Sequence, residues 1–286
     1  MRILVTGANG QVGRSMLDLN GQDGHEIIGL NRQQFDLTKP DDFDRIVDQI
    51  EPDAIVNAAA YTMVDRAEDE PELAYQINAV APGSMASVAA AGGLPFIQIS
   101  TDYVFDGAKE EPYDETDSPS PVNVYGKVKL LGEVAAQESY PETIILRTSW
   151  VFSPYGKNFL RTIRTALLEK KQLRVVRDQI GSPTYAPSVA DTILRILKKK
   201  LTSEIFHFSG LNSVSWFDFA KFIEERIYNN NTSLIESCAS SEYNTVAERP
   251  RNTCLDNTKI VSKLGIHRKS LLSEITICLS KIDKQK

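Results

Sequence analysis

Residues 2–13 read RILVTGANGQVG, a short apolar run that leads directly into Gly7, Gly10 and Gly13. The run predicts a buried β-strand, and the residues after the second glycine predict the start of a helix. In such a unit the first glycine permits a sharp turn, the second lets the backbone approach a pyrophosphate, and the third allows close packing of helix against strand. The stretch therefore predicts a dinucleotide-binding turn, with a glycine-rich turn that binds no ligand as the alternative.

Strand-like and helical segments alternate as far as residue 148. Further strands are predicted at residues 27–30, 54–56, 95–100 and 143–146, and helices at residues 71–91 and 124–138. Alternation of this kind implies right-handed crossovers and a parallel sheet that helices cover on both faces. The predicted fold class is therefore α/β, a Rossmann-type doubly wound parallel sheet whose ligands lie at the carboxyl ends of the strands.

The regular alternation ends near residue 150. Later segments predict a helix at 157–170, a strand at 173–176, and helices at 187–199, after Ser215 and at 269–282. At roughly 150 residues per domain, the length suggests two domains or one large unit with an appendage. We expect residues 1–150 to form a dinucleotide-binding Rossmann domain. Residues 151–286 are expected to form mainly a smaller C-terminal α/β lobe, with some segments returning to the Rossmann domain.

The composition is that of an ordinary globular protein. The 286 residues carry 32 Lys and Arg against 38 Asp and Glu, a net charge of −6, with 42% hydrophobic and 24% charged residues. This usage excludes collagen-like, disordered and generally basic nucleic-acid-binding chains. Cys238, Cys254 and Cys278 lack the short paired spacing of zinc or redox sites. The sequence shows neither a signal-peptide layout nor a run of membrane-spanning length, so we expect a cytoplasmic protein without membrane or nucleic-acid partners.

Asn31 and Arg32 directly follow the predicted second strand at residues 27–30. An NAD-binding turn typically has an acidic residue at this point, whereas an arginine can bind the 2′-phosphate of NADP. We therefore predict a preference for NADPH, with NADH still possible, and expect Asp36 and Leu37 to flank the adenine. The alternative is that Arg32 is simply solvated.

Tyr125 and Lys129 lie four residues apart in a predicted helix, which places both side chains on one face about 6 Å apart along its axis. A neighbouring ammonium stabilises phenolate and lowers the pKa of a tyrosine, so Tyr125 can act as the general acid on a ketone. Thr101 follows the apolar run at 95–99, at the carboxyl end of a strand, and can bond to the reacting carbonyl. The Tyr-x-x-x-Lys spacing alone also occurs on surface helices, but its combination with Thr101 and the glycine turn indicates a carbonyl-reducing site.

Motifs along essentially the whole chain resemble those of the extended short-chain dehydrogenase/reductase superfamily, and most of all those of its dTDP-4-dehydrorhamnose reductase family. Besides the glycine turn, the matching motifs are Asn57-Ala-Ala-Ala-Tyr-Thr62, Ala67-Glu68 with Glu70-Pro71, Asn78-Ala79, Ser100-Thr-Asp-Tyr-Val-Phe105, Asn123-x-Tyr125-Gly126-Lys127-x-Lys129, Arg147-Thr-Ser-Trp150-Val151, Asn158-Phe159, Asp178-Gln179-x-Gly181-x-Pro183-Thr184 and Arg249-Pro250. The Ser-Thr-Asp-Tyr-Val-Phe and Arg-Thr-Ser-Trp-Val runs are more specific to this reductase family than to the superfamily.

The resemblance implies an enzyme that uses NAD(P)H to reduce the C4 ketone of dTDP-4-dehydro-6-deoxy-L-mannose to dTDP-L-rhamnose, the last step of dTDP-rhamnose biosynthesis. By this resemblance Tyr125 would donate the proton and Thr101 would orient the carbonyl. Lys129 would lower the pKa of the tyrosine and bind the nicotinamide ribose.

The resemblance also implies where the ligands make contact. Cofactor contacts carry over to Gln11, Val12, Asp36, Leu37, Ala60, Tyr61, Thr62 and, through its backbone, Ile99. Asp102 and Trp150 match substrate-contacting positions, and Arg249 or Arg251 would meet the diphosphate of the substrate. The segment from about residue 150 would then be mainly the sugar-nucleotide-binding lobe.

One departure from the family concerns metal. Members that use Mg²⁺ hold it between subunits with glutamates, one of them just after the glycine turn, where this chain has Arg14 and Ser15. We therefore expect no bound Mg²⁺, a small-molecule nucleotide-sugar substrate, and either a monomer or a homodimer.

Two other functions remain open at the level of the sequence. The chain could be a non-catalytic regulatory subunit resembling the β subunit of methionine adenosyltransferase, although the presence of Thr101, Tyr125 and Lys129 weighs against this. It could also be an epimerase, dehydratase or reductase of another nucleotide sugar.

Overall fold

The structure is a computed structural model that describes residues 1–228 and 233–285. The strands are β1 (Arg2–Thr6), β2 (Glu26–Leu30), β3 (Ala54–Asn57), β4 (Phe96–Thr101), β5 (Ile144–Thr148), β6 (Val151–Phe152), β7 (Leu173–Val176), β8 (Ile180–Gly181), β9 (Thr184–Tyr185), β10 (Ile205–His207), β11 (Val214–Ser215) and β12 (Ile235–Cys238). The α-helices are α1 (Gln11–Leu17), α2 (Phe43–Ile50), α3 (Val64–Asp69), α4 (Pro71–Tyr75), α5 (Ala81–Gly92), α6 (Val124–Ser139), α7 (Phe159–Leu168), α8 (Ala186–Lys198), α9 (Trp216–Tyr228), α10 (Thr258–Leu264) and α11 (Leu271–Lys284).

The central sheet of the described residues has six parallel strands in the order β10-β5-β4-β3-β1-β2. Its inner strands are buried on both faces, as the apolar sequence of β3 requires, since all four residues of that strand are buried. The strand order reverses between β1 and β3, and such a reversal opens a crevice at the carboxyl ends of the strands. The predicted doubly wound Rossmann-type sheet is confirmed.

Helices cover both faces of this sheet. On one face α1, α8 and α10 contribute Met16, Ile193 and Ile260 to a buried apolar cluster. On the other face α2, α5 and α6 contribute a second cluster that contains Phe43 and Met85. Because helices cover both faces, the carboxyl ends of the strands are where a ligand can reach the sheet.

The chain after residue 150 contributes one strand to the central sheet and builds a separate apolar core. Strand β10 pairs in parallel with β5 at the edge of the central sheet, while α7, α9 and α11 pack around a separate apolar core with Phe152, Phe219 and Ile275. Parallel pairs β6–β9 and β7–β12 and the antiparallel pair β8–β11 surround this core. Strands as short as two residues carry no readable periodicity, which is why they were not predicted.

The helix predicted over residues 71–91 is interrupted. Between α4 and α5 the backbone forms a π-helical turn, Gln76–Val80. Within it Asn78 accepts a hydrogen bond from the Tyr61 amide through Oδ1 and donates one to the Tyr61 carbonyl through Nδ2, each 2.9 Å long. The turn therefore fixes the loop that follows β3.

Among the described residues, every helix is too short or too polar to cross a bilayer.

Candidate functional site

A cleft of about 830 Å³ lies where the carboxyl ends of β1, β3 and β4 meet. This volume is within the usual range of small-molecule sites. The cleft brings together nearly all of the residues proposed from the sequence: Gly7, Gly10, Gln11, Val12, Asn31, Arg32, Asp36, Leu37, Ala60, Tyr61, Thr62, Ile99, Thr101, Asp102, Tyr125, Lys129 and Trp150. Gly13 and Arg249 are not part of its lining.

The glycine turn has no room for side chains. Gly7 has a positive φ of +70°, and a Cβ atom there would lie 2.7 Å from the Ala58 carbonyl oxygen. A Cβ atom on Gly13 would lie 2.2 Å from the Gly7 carbonyl oxygen, so this glycine lets α1 pack against the turn from beneath the cleft. The turn thus forms a shallow cradle of bare backbone at the end of β1.

Buried side chains tie the strand ends together below this cradle. The Thr6 hydroxyl donates to Asn57 Oδ1 at 2.6 Å, and Asn57 Nδ2 donates to Gln98 Oε1 at 2.7 Å, which links β1, β3 and β4. Local sequence patterns did not predict this ladder. Its only sequence signal is a polar residue at the end or in the middle of each apolar strand.

Gln11 connects the cradle to the loop after β6. Its Nε2 donates to the Val151 carbonyl at 3.0 Å, and its Oε1 accepts from Ser153 Oγ and from Asn158 Nδ2, both at 2.9 Å. The amide oxygen therefore accepts two hydrogen bonds within the protein, and the amide nitrogen donates one. Lys157, which the sequence analysis did not select, lies on the same loop and lines the cleft.

The loop after β2 also lines the cleft. Asp36 accepts hydrogen bonds from the Thr38 amide and hydroxyl at 3.0 and 2.9 Å, and these bonds hold the pKa of its carboxyl below the ordinary value. The exposed Arg32 guanidinium lowers that pKa further. Arg66, which was not selected from the sequence, also lines this part of the cleft and pairs with Glu70.

Lys129 points toward the cleft from a buried position on α6. Its Nζ donates to the Ile99 carbonyl at 2.7 Å. Burial lowers the pKa of Lys129 to about 8, and the nearby Glu133 carboxylate opposes this shift. The pKa of this amine therefore lies close to neutral pH, where it can gain or lose a proton.

The electrostatics of Tyr125 differ from the sequence-based expectation. Burial raises the pKa of Tyr125 well above its ordinary value, and the Thr101 hydroxyl opposes this shift. The expected lowering by Lys129 is therefore wrong for this structure. The reason is that desolvation disfavours the phenolate, while the buried Lys129 amine bonds to a backbone carbonyl. Gly126 allows this placement, because a Cβ atom there would lie 2.1 Å from the Tyr103 carbonyl oxygen.

Asp102 is buried at the cleft wall beside Thr101. Its Oδ1 accepts from the Thr101 hydroxyl at 2.9 Å, while its Oδ2 has no hydrogen-bond partner within the described part of the chain. Burial raises the pKa of Asp102 to about 7; the Thr253 and Thr101 hydroxyls oppose the shift, although Thr253 lies outside hydrogen-bond geometry. Thr148, which also lines the cleft, has a buried Oγ1 that is likewise unpaired among the residues described. Unpaired buried groups at a cleft are positions that a ligand can satisfy.

A buried charged network lies behind these residues. Arg147 forms a bidentate ion pair with Glu133, with Nη2 and Oε2 2.7 Å apart and both side chains 2% exposed. The Ser100 hydroxyl donates to Glu133 as well. Arg147 also contacts His207, whose pKa is lowered to about 3 by burial and by the guanidinium, so the imidazole is neutral. Arg147 stands in a motif that resembles the reductase family, but this network was not predicted from the sequence.

The two remaining substrate candidates differ in their surroundings. Trp150 lines the cleft and stacks on Trp216. Arg249 instead pairs with Asp65, with Nη2 and Oδ2 2.8 Å apart, and lies over the Tyr103 ring.

The two residues that follow the glycine turn make contacts within the protein. Ser15 is buried and donates to the Gln11 carbonyl, and Arg14 lies over the Tyr155 ring. Within the described ranges, no group of three or more His, Cys, Asp or Glu side chains is placed to hold a metal ion.

Comparisons with known proteins agree along nearly the whole chain. The sequence model of the family described as "RmlD substrate binding domain" matches residues 1–283. The chain is 42% identical over 275 residues to the dTDP-4-dehydrorhamnose reductase of Aggregatibacter actinomycetemcomitans, covering 93% of this chain and 94% of that protein.

Two crystal structures extend the similarity to the fold. The dTDP-4-dehydrorhamnose reductase of Bacillus anthracis in complex with NADP superposes with a TM-score of 0.92 at 33% identity, over 98% of this chain and 99% of that one. A dTDP-4-dehydrorhamnose reductase from Clostridium acetobutylicum superposes with a TM-score of 0.91 at 33% identity, over 99% and 100% of the two chains.

Proposed function

The chain belongs to the RmlD family of dTDP-4-dehydrorhamnose reductases, and from that premise we propose that it reduces the C4 ketone of dTDP-4-dehydro-6-deoxy-L-mannose to dTDP-L-rhamnose with NADPH. The observation that carries the proposal is a single cleft lined both by the glycine turn and by Thr101, Tyr125 and Lys129. A dinucleotide and a ketone bound in this cleft would meet at the end of β4.

The described residues fit a bound dinucleotide. The cradle at Gly7 and Gly10 is bare backbone that a Cβ atom would partly fill, which is the shape a pyrophosphate needs. Arg32 at the end of β2 is exposed to receive a 2′-phosphate, and no acidic side chain stands at that position. These features support NADPH as the preferred cofactor, with NADH as a weaker one.

We assign the proton transfer to Tyr125. When bound, the reduced nicotinamide supplies a hydride to C4. The Tyr125 hydroxyl donates its proton to the carbonyl oxygen, so that one C–H and one O–H bond form and the ketone becomes an alcohol. Burial that raises the pKa of Tyr125 keeps the phenol protonated before reaction, and solvent then restores the proton.

Thr101 and Lys129 position the reacting groups in this proposal. The Thr101 hydroxyl, which bonds to Asp102, turns toward the substrate carbonyl and orients it. Lys129 binds the nicotinamide ribose through its amine, as the family resemblance implies.

The sugar nucleotide contacts the opposite wall. Asp102 has an unpaired buried oxygen that can accept from a sugar hydroxyl, and Trp150 offers an aromatic face to the sugar ring. Arg249 remains our candidate for the diphosphate, and this role requires its guanidinium to exchange Asp65 for the phosphate.

The domain assignment follows the same division. Residues 1–150 bind the dinucleotide in this proposal, and residues 151–286 bind mainly the sugar nucleotide, with β10 returning to the central sheet. We propose a cytoplasmic protein that acts as a monomer or homodimer without bound Mg²⁺.

A direct spectrophotometric assay tests the proposal. Purified protein is mixed with the 4-dehydro sugar nucleotide and either NADPH or NADH, loss of reduced-cofactor absorbance is followed, and the product is identified by chromatography against dTDP-L-rhamnose. Turnover to that product supports the proposal. No turnover, together with a changed activity of an added partner enzyme, would favour a regulatory subunit. Copurified NAD without net cofactor oxidation would favour an epimerase.

A further inference from the structure

The two tryptophans of the chain, Trp150 and Trp216, form a face-to-face stack. Their ring centroids are 3.4 Å apart and their planes differ by 3°. Trp150 lines the cleft, whereas Trp216 is the first residue of α9 and is not part of the lining. The stack therefore joins a cleft residue to a helix of the C-terminal part of the chain.

The backbone of Trp150 adopts an unfavourable conformation. Its φ is +44°, in the left-handed region that bulky side chains rarely adopt. Such a conformation persists only where surrounding contacts enforce it. The contacts around the Trp150 indole therefore hold the ring in place against this backbone strain.

The Nε1 side of the Trp150 indole lies against backbone. Gly181 in β8 lies so close that a Cβ atom there would be 2.3 Å from Trp150 Cε2. The antiparallel pairing of Gly181 with Val214 brings the start of α9 to the same place. The indole therefore lies in a slot with the Gly181 backbone and the Trp216 ring as its walls.

The Trp216 wall of this slot is itself well supported. The Ser215 hydroxyl accepts from the Asp218 amide at 3.0 Å, which fixes the first turn of α9. The Trp216 ring also packs on Phe159, with centroids 4.6 Å apart. The cap of α9 and the contact with Phe159 together hold Trp216 in place beside Trp150.

From this arrangement we infer that Trp216 is a positioning residue, which holds the Trp150 indole at the cleft wall in the orientation that receives the sugar nucleotide. The inference rests on the proposed function, because Trp150 acts on the sugar nucleotide only if that ligand binds here. Trp216 contributes indirectly: its removal deletes no cleft-lining side chain but frees the Trp150 ring to rotate out of its slot.

Replacing Trp216 leaves Trp150 as the sole tryptophan, so fluorescence reports on that one ring. In Trp216→Leu we expect acrylamide to quench Trp150 emission more strongly than in Trp216→Phe, which keeps an aromatic wall. We expect KM for the 4-dehydro sugar nucleotide to rise roughly 10- to 100-fold in Trp216→Leu, the scale of a 1 Å misplacement. KM for NADPH should stay within about twofold, and Trp216→Phe should restore most of the lost affinity.

Two further variants keep the test decisive. Phe217→Leu removes a ring from the same helical turn and should leave both KM values unchanged. Gly181→Ala places a Cβ atom against the Nε1 side of the indole and should also raise KM for the sugar nucleotide, even where Trp216→Leu fails to fold. Equal quenching in the Leu and Phe variants, or equal rises in both KM values, would overturn the inference. Absence of turnover in the unmodified protein would instead refute the proposed function. The two failures can be distinguished because the fluorescence comparison needs no substrate.

Discussion

The two ends of the cleft are built from different kinds of group. At the cofactor end Gly7 leaves the turn as bare backbone, and the Gln11 side chain bonds to Ser153 and Asn158 in the loop after β6. The catalytic end is made of side chains that are buried and incompletely paired within the described residues, among them Asp102 and Thr148. The catalytic end therefore has buried bonding capacity that a ligand can complete.

This difference has energetic consequences. A backbone cradle binds by shape, so a change there should alter ligand affinity and packing before it alters chemistry. Buried polar groups without partners destabilise the free protein, and active sites commonly carry such groups because catalysis requires them. A change at the catalytic end should therefore alter turnover, and in some cases raise stability.

The largest expected effect is at the catalytic end. Tyr125→Phe should reduce kcat by about 10²- to 10⁴-fold, because the proton donor is lost, while the ring still fills its place. NADPH binding, measured by titration of cofactor fluorescence, should stay within about twofold of the parent value. Turnover close to that of the unmodified protein would show that Tyr125 is not the general acid.

A smaller effect is expected at the cofactor end from Gly13→Ala. The new Cβ atom would lie 2.2 Å from the Gly7 carbonyl oxygen, so α1 or the turn must move. We expect a loss of about 1–3 kcal/mol of stability and NADPH binding weakened about tenfold, which corresponds to ~1.4 kcal/mol. Gly92→Ala is the matched control, because that exposed glycine meets only the flexible Leu94 side chain. Similar thermal and binding results for the two variants would argue against the cradle.

Arg32→Ala addresses the choice of cofactor within the same end. Loss of a hydrogen bond to a charged group costs about 1.5–3 kcal/mol, so kcat/KM with NADPH should fall at least roughly tenfold. The value with NADH should not change, because NADH lacks the 2′-phosphate. Arg45→Ala, an exposed arginine on α2, is the charge-matched control. Equal efficiency with both cofactors, before and after the substitution, would remove Arg32 from the site.

The smallest expected effect is a gain in stability at the catalytic end. The pKa of Asp102 is raised to about 7, so the folded protein binds its proton more tightly than the unfolded chain does. Stability from this group is therefore lost as pH rises toward 7, and the full penalty applies above it.

Asp102→Asn removes this penalty because the amide carries no charge. We expect its Tm at pH 8 to exceed that of the parent by roughly 2–4 °C, the shift that about 1 kcal/mol produces in a chain of this size. The difference should shrink as the pH is lowered toward 4. Thermal unfolding at several pH values measures it, with Asp48→Asn on the exposed side of α2 as control. A lower Tm for Asp102→Asn at every pH would contradict the assignment.

Much of the fold could be predicted from local patterns. The strands at residues 2–6 and 173–176 lie where the apolar runs indicated, and the helix predicted over 124–138 extends by only one residue. The helix predicted over 71–91 was only partly right, since the π-helical turn at Gln76–Val80 interrupts it. The bond between Asn78 and the Tyr61 backbone stabilises that interruption, and a contact across the chain leaves no mark on helical periodicity.

The chain order of residues was sufficient to select the Rossmann sheet, the glycine turn and the residues that line its cleft, because each depends on spacing within a strand or a helix. The pKa values of Tyr125 and Asp102, the pairing of Arg249 with Asp65 and the stack of Trp150 on Trp216 were beyond it. These properties depend on desolvation and on groups from distant segments, which come together only when β8, α9 and the strand ends of the central sheet have packed.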